Sequence, residues 1–296
     1  MIETTNRFVS KHVANLLQSN FLNLISSSKK VLVLPLILFM MFVAQQSFGQ
    51  TAGNYTFSTG TNASLAADMN SNTIDMTTGT TQLVAAGTDD AAYAAGAMNL
   101  GSGAAFSFNF MGTAYTTFSA TDNGIITLGA TAGTGVYALP NATVPTISAF
   151  ANDMRTGTNG KVHAKIVGTA PNRTLVIEWQ NNMIRYLVTA AAGTGTWQVR
   201  LYETTNNIEF VYGAMTTNAA TPAAYYVGFS NNTGINSLMT VNVGTQTESV
   251  FYTWGNTYTA SSTITALNSA SNGSRRYYRF IAPGAAVPMS GTYTIN

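Results

Sequence analysis

Three glutamates could supply the carboxylate pair that glycoside hydrolysis requires. Glu178, Glu203 and Glu209 lie on or beside segments that alternate apolar and polar residues. Retaining hydrolysis needs two carboxyl groups ~5 Å apart, and inverting hydrolysis needs a wider gap. No second acidic residue lies two or four positions from Glu178. We therefore interpret Glu178 as a solvated residue of a sheet face. A carbohydrate-active enzyme that uses Glu178 and Glu203 is the alternative.

Nucleophilic and metal chemistry have few residues to draw on. The chain has no cysteine, and His163 is the only histidine after residue 50. A Ser-His-Asp triad would have to use His163, and no Gly-x-Ser-x-Gly motif accompanies it. A single imidazole also cannot build a histidine-based metal site. We predict that His163 is a partly exposed sheet residue and that the protein has no catalytic residue and no cofactor.

Two aspartate-containing segments offer oxygen ligands for calcium. These are Asp89-Asp90 and Asp122-Asn123-Gly124. Hard cations prefer such ligands, but neither segment has the full spacing of a calcium loop. Asp and Asn beside Gly are also ordinary turn residues. We interpret both segments as turns and predict no metal site, while calcium binding stays an open alternative.

Arginine and tyrosine alternate near the end of the chain, in residues 275–280. Such residues could form a platform for a carbohydrate or a polyanion. They also suit a closing strand in which arginine and tyrosine side chains stack. We favour the closing strand.

The composition excludes several classes of protein. Only 8% of residues are charged and 46% are hydrophobic, so the chain is not generally disordered. No long basic run exists, which argues against a nucleic-acid partner. Residues 51–150 carry five acidic and no basic side chains, whereas residues 151–296 carry five acidic and nine basic ones. We interpret this asymmetry as two halves that face each other in one domain.

The first 49 residues resemble an export signal. Lys29-Lys30 precede an apolar run over residues 31–44, and small residues precede a cleavage point after Gly49. The run is shorter than the ~20 apolar residues of a membrane span, so we predict no stable membrane span after cleavage. Residues 1–28 make the region before the run unusually long. The mature chain would be secreted or displayed on the cell surface.

The rest of the chain has the pattern of an all-β protein. Apolar and polar residues alternate at period two between turn signals, which predicts an antiparallel, jelly-roll-like β-sandwich. This alternation is weaker in residues 51–104, which predicts a loop-rich segment that returns to the sheets. Candidate strands span residues 105–111, 115–121, 124–128, 146–153, 161–167, 174–181, 184–189, 196–203, 207–212, 224–229, 250–254 and 275–281.

One predicted hairpin joins residues 197–203 to residues 207–212. Its apolar residues share one face, and antiparallel pairing would bury five of them. Arg200 and Glu209 would be cross-strand neighbours, worth a few tenths of a kcal/mol if exposed. Each buried large side chain is worth roughly 1.5–3 kcal/mol, so packing rather than charge should decide this hairpin.

Several short motifs follow one another along the chain. They are Asn54 to Ser58, Phe106 to Gly112, Tyr115 to Phe118, Asp122 to Gly124, Ile147 to Asp153, Pro171 to Arg173, Glu178-Trp179, Gln198 to Gly213 and Arg275 to Pro283. In this order they resemble an N-terminal module of secreted multidomain surface proteins of the Bacteroidota. The resemblance covers about residues 54–283, and it implies a nidogen-like β-sandwich that is associated with type IX secretion. It implies no catalytic residues.

These observations predict three regions. Residues 1–49 form a signal peptide with an extended n-region, residues 50–282 a β-sandwich domain, and residues 283–296 a linker and the start of a truncated following module. The predicted function is non-catalytic adhesion or ligand binding within a larger exported protein, with a glycan or surface ligand as the partner besides its own downstream domains. A spacer without a ligand is a further alternative.

Overall fold

The computed structural model describes residues 50–133, 144–186, 193–216, 224–231, 237–251, 264–267 and 274–284. The predicted signal peptide over residues 1–49 lies outside these residues. The predicted linker and following module lie outside them from residue 285 onward.

The described chain is built from sixteen strands and one short 3-10 helix, Ala52–Asn54. The strands are β1 (Thr56–Ala63), β2 (Thr81–Val84), β3 (Gly96–Ala97), β4 (Phe108–Phe110), β5 (Thr113–Tyr115), β6 (Thr117–Ala120), β7 (Ile126–Leu128), β8 (Thr146–Ala151), β9 (Arg155–Val167), β10 (Thr174–Met183), β11 (Thr194–Tyr202), β12 (Ile208–Met215), β13 (Tyr226–Ser230), β14 (Leu238–Asn242), β15 (Thr247–Phe251) and β16 (Arg275–Ile281).

The strands form two seven-stranded sheets and a separate hairpin. Sheet one has the order β1-β16-β12-β11-β10-β9-β2, sheet two has the order β15-β14-β13-β8-β7-β6-β3, and β4 pairs with β5. The paired strands are antiparallel. The predicted all-β, antiparallel, sandwich-like fold is therefore confirmed.

Aromatic side chains hold the two sheets together. Trp197 of sheet one lies 5.3 Å from Phe150 of sheet two, between ring centroids, and stacks at 5.7 Å on Trp179. The Tyr212 hydroxyl donates to the Ala149 carbonyl across the same interface, at 2.7 Å. Ring pairs of this kind contribute ~0.5–1.5 kcal/mol beyond the area they bury. The core thus lies between the sheets.

The predicted hairpin is β11 paired with β12. Trp197 faces Tyr212 and Val199 faces Phe210 across the two strands, and all four side chains are fully buried. Residues two apart share a face of a strand, so this register directs the apolar set toward sheet two. The predicted closing strand is likewise confirmed as β16.

The predicted strand over residues 184–189 is wrong for residues 184–186, the part of it that the structure describes. Ile184 to Tyr186 lie outside any strand, and residues 187–192 are outside the described ranges. The pairing of β10 with β11 shifts register between Trp179 and Asn182, and Asn181 has a φ of 49°. β10 ends at Met183, which pairs with Thr194, the first residue of β11.

A segment between β1 and β2 covers the outer face of sheet one. We call residues 64–78 the strap. Arg200 of β11 donates to the Ala67 carbonyl at 2.8 Å, and Lys165 of β9 donates to the Asp75 and Thr78 carbonyls at 2.9 and 2.8 Å. The predicted loop-rich segment therefore does return to the sheets, and it adds a partial third layer.

Candidate functional site

A row of polar side chains runs across the outer face of sheet one, beneath the strap. His163, Glu178 and Gln198 are cross-strand neighbours on β9, β10 and β11. Arg200 pairs in the same way with Glu209 on β12. All five side chains are buried, and Gln198 and Arg200 donate to backbone carbonyls of the strap. We call them the buried polar row.

The buried polar row is continuous in hydrogen bonding. One oxygen of the Glu178 carboxylate contacts His163 Nε2 at 2.9 Å, and the other accepts from Gln198 Nε2 at 2.7 Å. Gln198 Oε1 in turn accepts from Arg200 Nε at 2.9 Å. Buried polar groups are tolerated when they are hydrogen-bonded in this way.

Glu209 is the charged centre of the buried polar row at its β12 end. Its carboxylate accepts from Arg200 Nη1 at 3.0 Å, from Arg279 Nε at 2.7 Å and from the Tyr202 hydroxyl at 2.8 Å. Burial, followed by the neighbouring Glu209 charge, raises the pKa of Tyr202. This end of the row is therefore a buried ion cluster that includes a neutral tyrosine hydroxyl. It is not a solvated surface ion pair.

These positions correct two predictions. His163 is fully buried rather than partly exposed, and Glu178 is 6% exposed rather than solvated. The predicted neighbours Arg200 and Glu209 do pair, but both are buried. The physical reason is that the strap covers part of this face, and the strap's own residues lack the alternation by which a strand is predicted.

His163 stands between a hydroxyl and a carboxylate. Its Nδ1 lies 3.1 Å from Thr80 Oγ1, and its Nε2 lies 2.9 Å from Glu178. This is the order of groups in a nucleophile–base–acid triad. Thr80 lines neither of the two cavities described below.

Glu178 and Glu203 do not form a carboxylate pair. Glu178 is the cross-strand neighbour of Gln198. Glu203 follows Gln198 by five residues, and at ~3.3 Å per residue of extended chain this places it about 16 Å away. Glycosidase carboxyl groups lie at most about 9.5 Å apart. In addition, Glu203 accepts from Arg173 Nε at 2.7 Å, which raises the pKa of Arg173.

A polar cavity lies at one end of sheet one, where three turns meet. We call it the end cavity, and its volume is ≈ 440 Å³. The strap, the β9–β10 turn and the β11–β12 turn each contribute to its walls. Amide and hydroxyl side chains dominate this lining: Asn70, Asn72, Thr169, Asn172, Thr204 and Thr205.

Asp68 holds the strap side of the end cavity in place. Its carboxylate accepts from the backbone amides of Asn70 and Asn72 at 2.9 and 2.8 Å. It also accepts from the Asn72 side chain at 3.0 Å and from the Thr174 hydroxyl at 2.6 Å. The turn is thereby fixed to β10, so this wall is preorganised.

Arg173 fixes the side of the end cavity that lies opposite the strap. Its guanidinium forms an ion pair with Glu203, and it also donates to the carbonyls of Ala104 and Ala105. The Arg173 carbonyl accepts from the Glu203 backbone amide at 2.9 Å. These contacts clamp the β9–β10 and β11–β12 turns together and position their polar side chains.

A second recess lies between the strap and the part of sheet one formed by β10 and β11. We call it the strap cleft, and its volume is ≈ 290 Å³. Leu65, Ile74 and Met76 of the strap form apolar walls, and Glu178 and Gln198 contribute polar groups.

The predicted Asp122-Asn123-Gly124 turn is confirmed between β6 and β7. Asp122 is fully buried, and both of its carboxylate oxygens lie 3.1 Å from the Ala91 amide. Burial raises the pKa of Asp122 to about 7, and the nearby charges of Asp89 and Asp90 add to this rise. Among the described residues, no group of three or more His, Cys, Asp or Glu side chains is placed to hold a metal ion.

Sequence reasoning missed the strap, the end cavity and the strap cleft. One signal for the strap was available in β10, where Leu175, Val176 and Ile177 are all apolar. An unbroken apolar run is typical of a strand that is covered on both faces. The end cavity had no comparable signal, because its residues come from three turns that are distant in sequence.

Comparison with known proteins identifies the family. A family model described as NIDO related matches residues 54–282. No curated protein and no solved structure gave a significant match. Within the described ranges, none of the helices combines the length and apolar character that a membrane crossing requires. Because the family model covers well over half of the sequence, the chain belongs to the NIDO-related family, whose domains are typical of extracellular modules.

Proposed function

We propose that residues 50–282 form a non-catalytic extracellular module that binds a ligand or mediates adhesion within a larger exported surface protein. The end cavity is the observation that carries this proposal, since it is a preorganised concave site lined by side chains from three turns. Membership of the NIDO-related family supports the extracellular setting. Secretion through the type IX system of a Bacteroidota species is part of the same proposal.

The lining of the end cavity favours a polyhydroxylated ligand such as a glycan. Amide and hydroxyl groups can each donate and accept hydrogen bonds, as sugar hydroxyls do. Asn70, Asn172, Thr204 and Thr205 are exposed, so they can reach a ligand. The charged groups Arg173 and Glu203 already bind each other and would orient the ligand rather than react with it.

A glycan array with and without a chelator tests this proposal. We expect a glycan that binds, and we expect Asn70→Ala together with Asn172→Ala to weaken that binding about tenfold or more, the equivalent of ~1.4 kcal/mol. Asn62→Ala, an exposed asparagine of β1, is the matched control and should bind normally. An array without any binder would favour the spacer alternative, whereas binding that the double variant leaves unchanged would contradict the end cavity as the binding site. Loss of binding with the chelator would restore the calcium hypothesis.

The enzymatic alternative has a direct test. The wide separation of Glu178 and Glu203 supports a non-catalytic role. Incubation of the protein with the array glycans should therefore release no product. Hydrolysis that disappears in Glu178→Gln or Glu203→Gln, with folding preserved by circular dichroism, would contradict the proposal.

A further inference from the structure

The strap cleft combines apolar walls with a buried carboxylate, Glu178, that forms no ion pair with a lysine or arginine among the described residues. Arg200 and Arg279 both contact Glu209 instead of Glu178. Among the described residues, the ion-pair partner of Glu178 is His163. The two ring nitrogens of His163 lie 3.1 Å from Thr80 Oγ1 and 2.9 Å from Glu178 Oε1, so the imidazole engages one of the two carboxylate oxygens.

We propose that the strap cleft binds an organic ammonium ion that carries a short apolar stem. The site differs from the end cavity in its lining and in the charge it offers, so it is an addition to the proposed function.

The Glu178 carboxylate would receive the ammonium group. Each of its oxygens accepts one hydrogen bond from the protein, and each has a further lone pair for a ligand. The side chain is only 8% exposed. A charge-assisted hydrogen bond is stronger where water is largely excluded, so a cation would gain more here than at an open surface.

Asp75 places a second negative charge at the cleft. Hydrogen bonds from Thr77 and Thr78 lower the pKa of Asp75 to about 2, so it is ionised under ordinary conditions. Lys165 lies close to Asp75 and also lowers its pKa, so it offsets part of this charge. The Glu178 carboxylate, which forms no ion pair with a lysine or arginine among the described residues, is the group that attracts a cation and disfavours an anion.

The walls determine the rest of the ligand. Leu65, Ile74 and Met76 form an apolar surface that a stem of methylene groups would cover. The cleft volume of ≈ 290 Å³ exceeds that of several water molecules at ~30 Å³ each, so a small alkylammonium fits. A fully hydrated metal ion would leave these walls without a partner.

Titration of the domain with n-butylammonium, followed by ligand-observed NMR, tests the proposal. We expect saturable binding of n-butylammonium and no saturable binding of 1-butanol or butyrate, which share the stem but lack the positive charge. Glu178→Gln should weaken n-butylammonium binding about tenfold or more, because it removes the charge that assists the hydrogen bond. Glu248→Gln, an exposed glutamate of β15, is the matched control and should bind like the unaltered domain.

A second variant separates loss of the site from loss of the fold. Ala66 is exposed and lines the cleft, so Ala66→Phe should fill it and abolish binding without altering the buried polar row. Saturable binding that survives both Glu178→Gln and Ala66→Phe, or the absence of binding by the unaltered domain, would overturn the proposal. The Asn70→Ala and Asn172→Ala variant should retain n-butylammonium binding, which keeps this test separate from that of the end cavity.

The same experiment distinguishes two sources of the ligand. An acetylated and amidated Gly-Lys-Gly peptide presents the ammonium group as a lysine side chain. Binding of this peptide as well as n-butylammonium would identify a protein partner, whereas binding of n-butylammonium alone would identify a free small amine.

Discussion

Asp122 links the folding free energy to pH. Burial raises its pKa in the folded state to about 7, from an ordinary value of 3.8. The folded protein therefore binds this proton more tightly than the unfolded chain does. The contribution of Asp122 to stability is most favourable below pH 4, declines as the pH rises toward 7, and is constant above that. The total decline is at most about 4 kcal/mol, at 1.36 kcal/mol for each pKa unit.

We predict that Asp122→Asn removes this pH dependence. Asparagine keeps an oxygen that accepts from the Ala91 amide, but it has no charge to bury. Urea denaturation should show the variant gaining stability relative to the unaltered domain between pH 5 and pH 8. Glu248→Gln serves as the control, with no such gain. An equal stability difference at both pH values would contradict the raised pKa.

Glu209 is the residue on which the buried ion cluster depends. We predict that Glu209→Ala lowers the free energy of unfolding by about 3–5 kcal/mol, because it leaves the buried Arg200 without its carboxylate. Glu248→Ala should change it by less than about 0.5 kcal/mol. Thermal or urea denaturation measures both variants. A small effect at Glu209 would mean that water reaches the row.

At the scale of the element, the turn between β6 and β7 constrains Gly124 twice. Its φ is 80°, and a Cβ atom there would lie 1.8 Å from the Phe150 carbonyl oxygen. Gly87 has a similar φ of 70°, but nothing lies within 4 Å of the corresponding position. A comparison of alanine substitutions at the two glycines therefore separates the cost of backbone strain from the cost of steric overlap.

We predict that Gly87→Ala costs about 1–2 kcal/mol, the strain of a left-handed conformation. Gly124→Ala should cost clearly more than that, because the β6–β7 turn or β8 must also move. Melting temperatures of the two variants provide the measurement. Equal losses would show that the turn can shift away from Phe150 at little cost.

The strands were predictable because alternation is a local property of the sequence. The segments of β8, β10, β11, β12 and β16 show it, and the register of Trp197 with Tyr212 follows from it. The strap was predictable only in part: the apolar run in β10 indicates a covered face, but the strap's own side chains follow no period. Its fixed shape comes from long-range contacts, such as the one between Arg200 and the Ala67 carbonyl. The end cavity was not predictable for a related reason, since the order of strands decides which turns become neighbours.

At the scale of the whole molecule, the acidic and basic halves of the sequence contact each other within one sandwich. Asp89, from the acidic half, forms a β-bridge with Arg155 from the basic half. Lys165 donates to the backbone carbonyl of Asp75 in the strap. These are backbone contacts, and the four ion pairs among the described residues all join residues within the basic half.

We predict that export removes residues 1–49. The charged and apolar segments before Gly49 have the order of a signal peptide, so the secreted chain should begin at Gln50, which can cyclise. N-terminal sequencing of secreted protein, after enzymatic removal of a pyroglutamyl group, measures this. Residues 1–28 on the mature protein would contradict the cleavage.

The first and last strands of the described domain are partners. β1 pairs with β16, so Phe57 has no cross-strand partner until Phe280 has been synthesised. During synthesis from the N-terminus, the edges of β1 and β12 therefore stay unpaired until residues 275–281 are available. Unpaired edges readily recruit other chains. A premature stop codon upstream of Arg275 would therefore yield an aggregation-prone polypeptide instead of a smaller working domain.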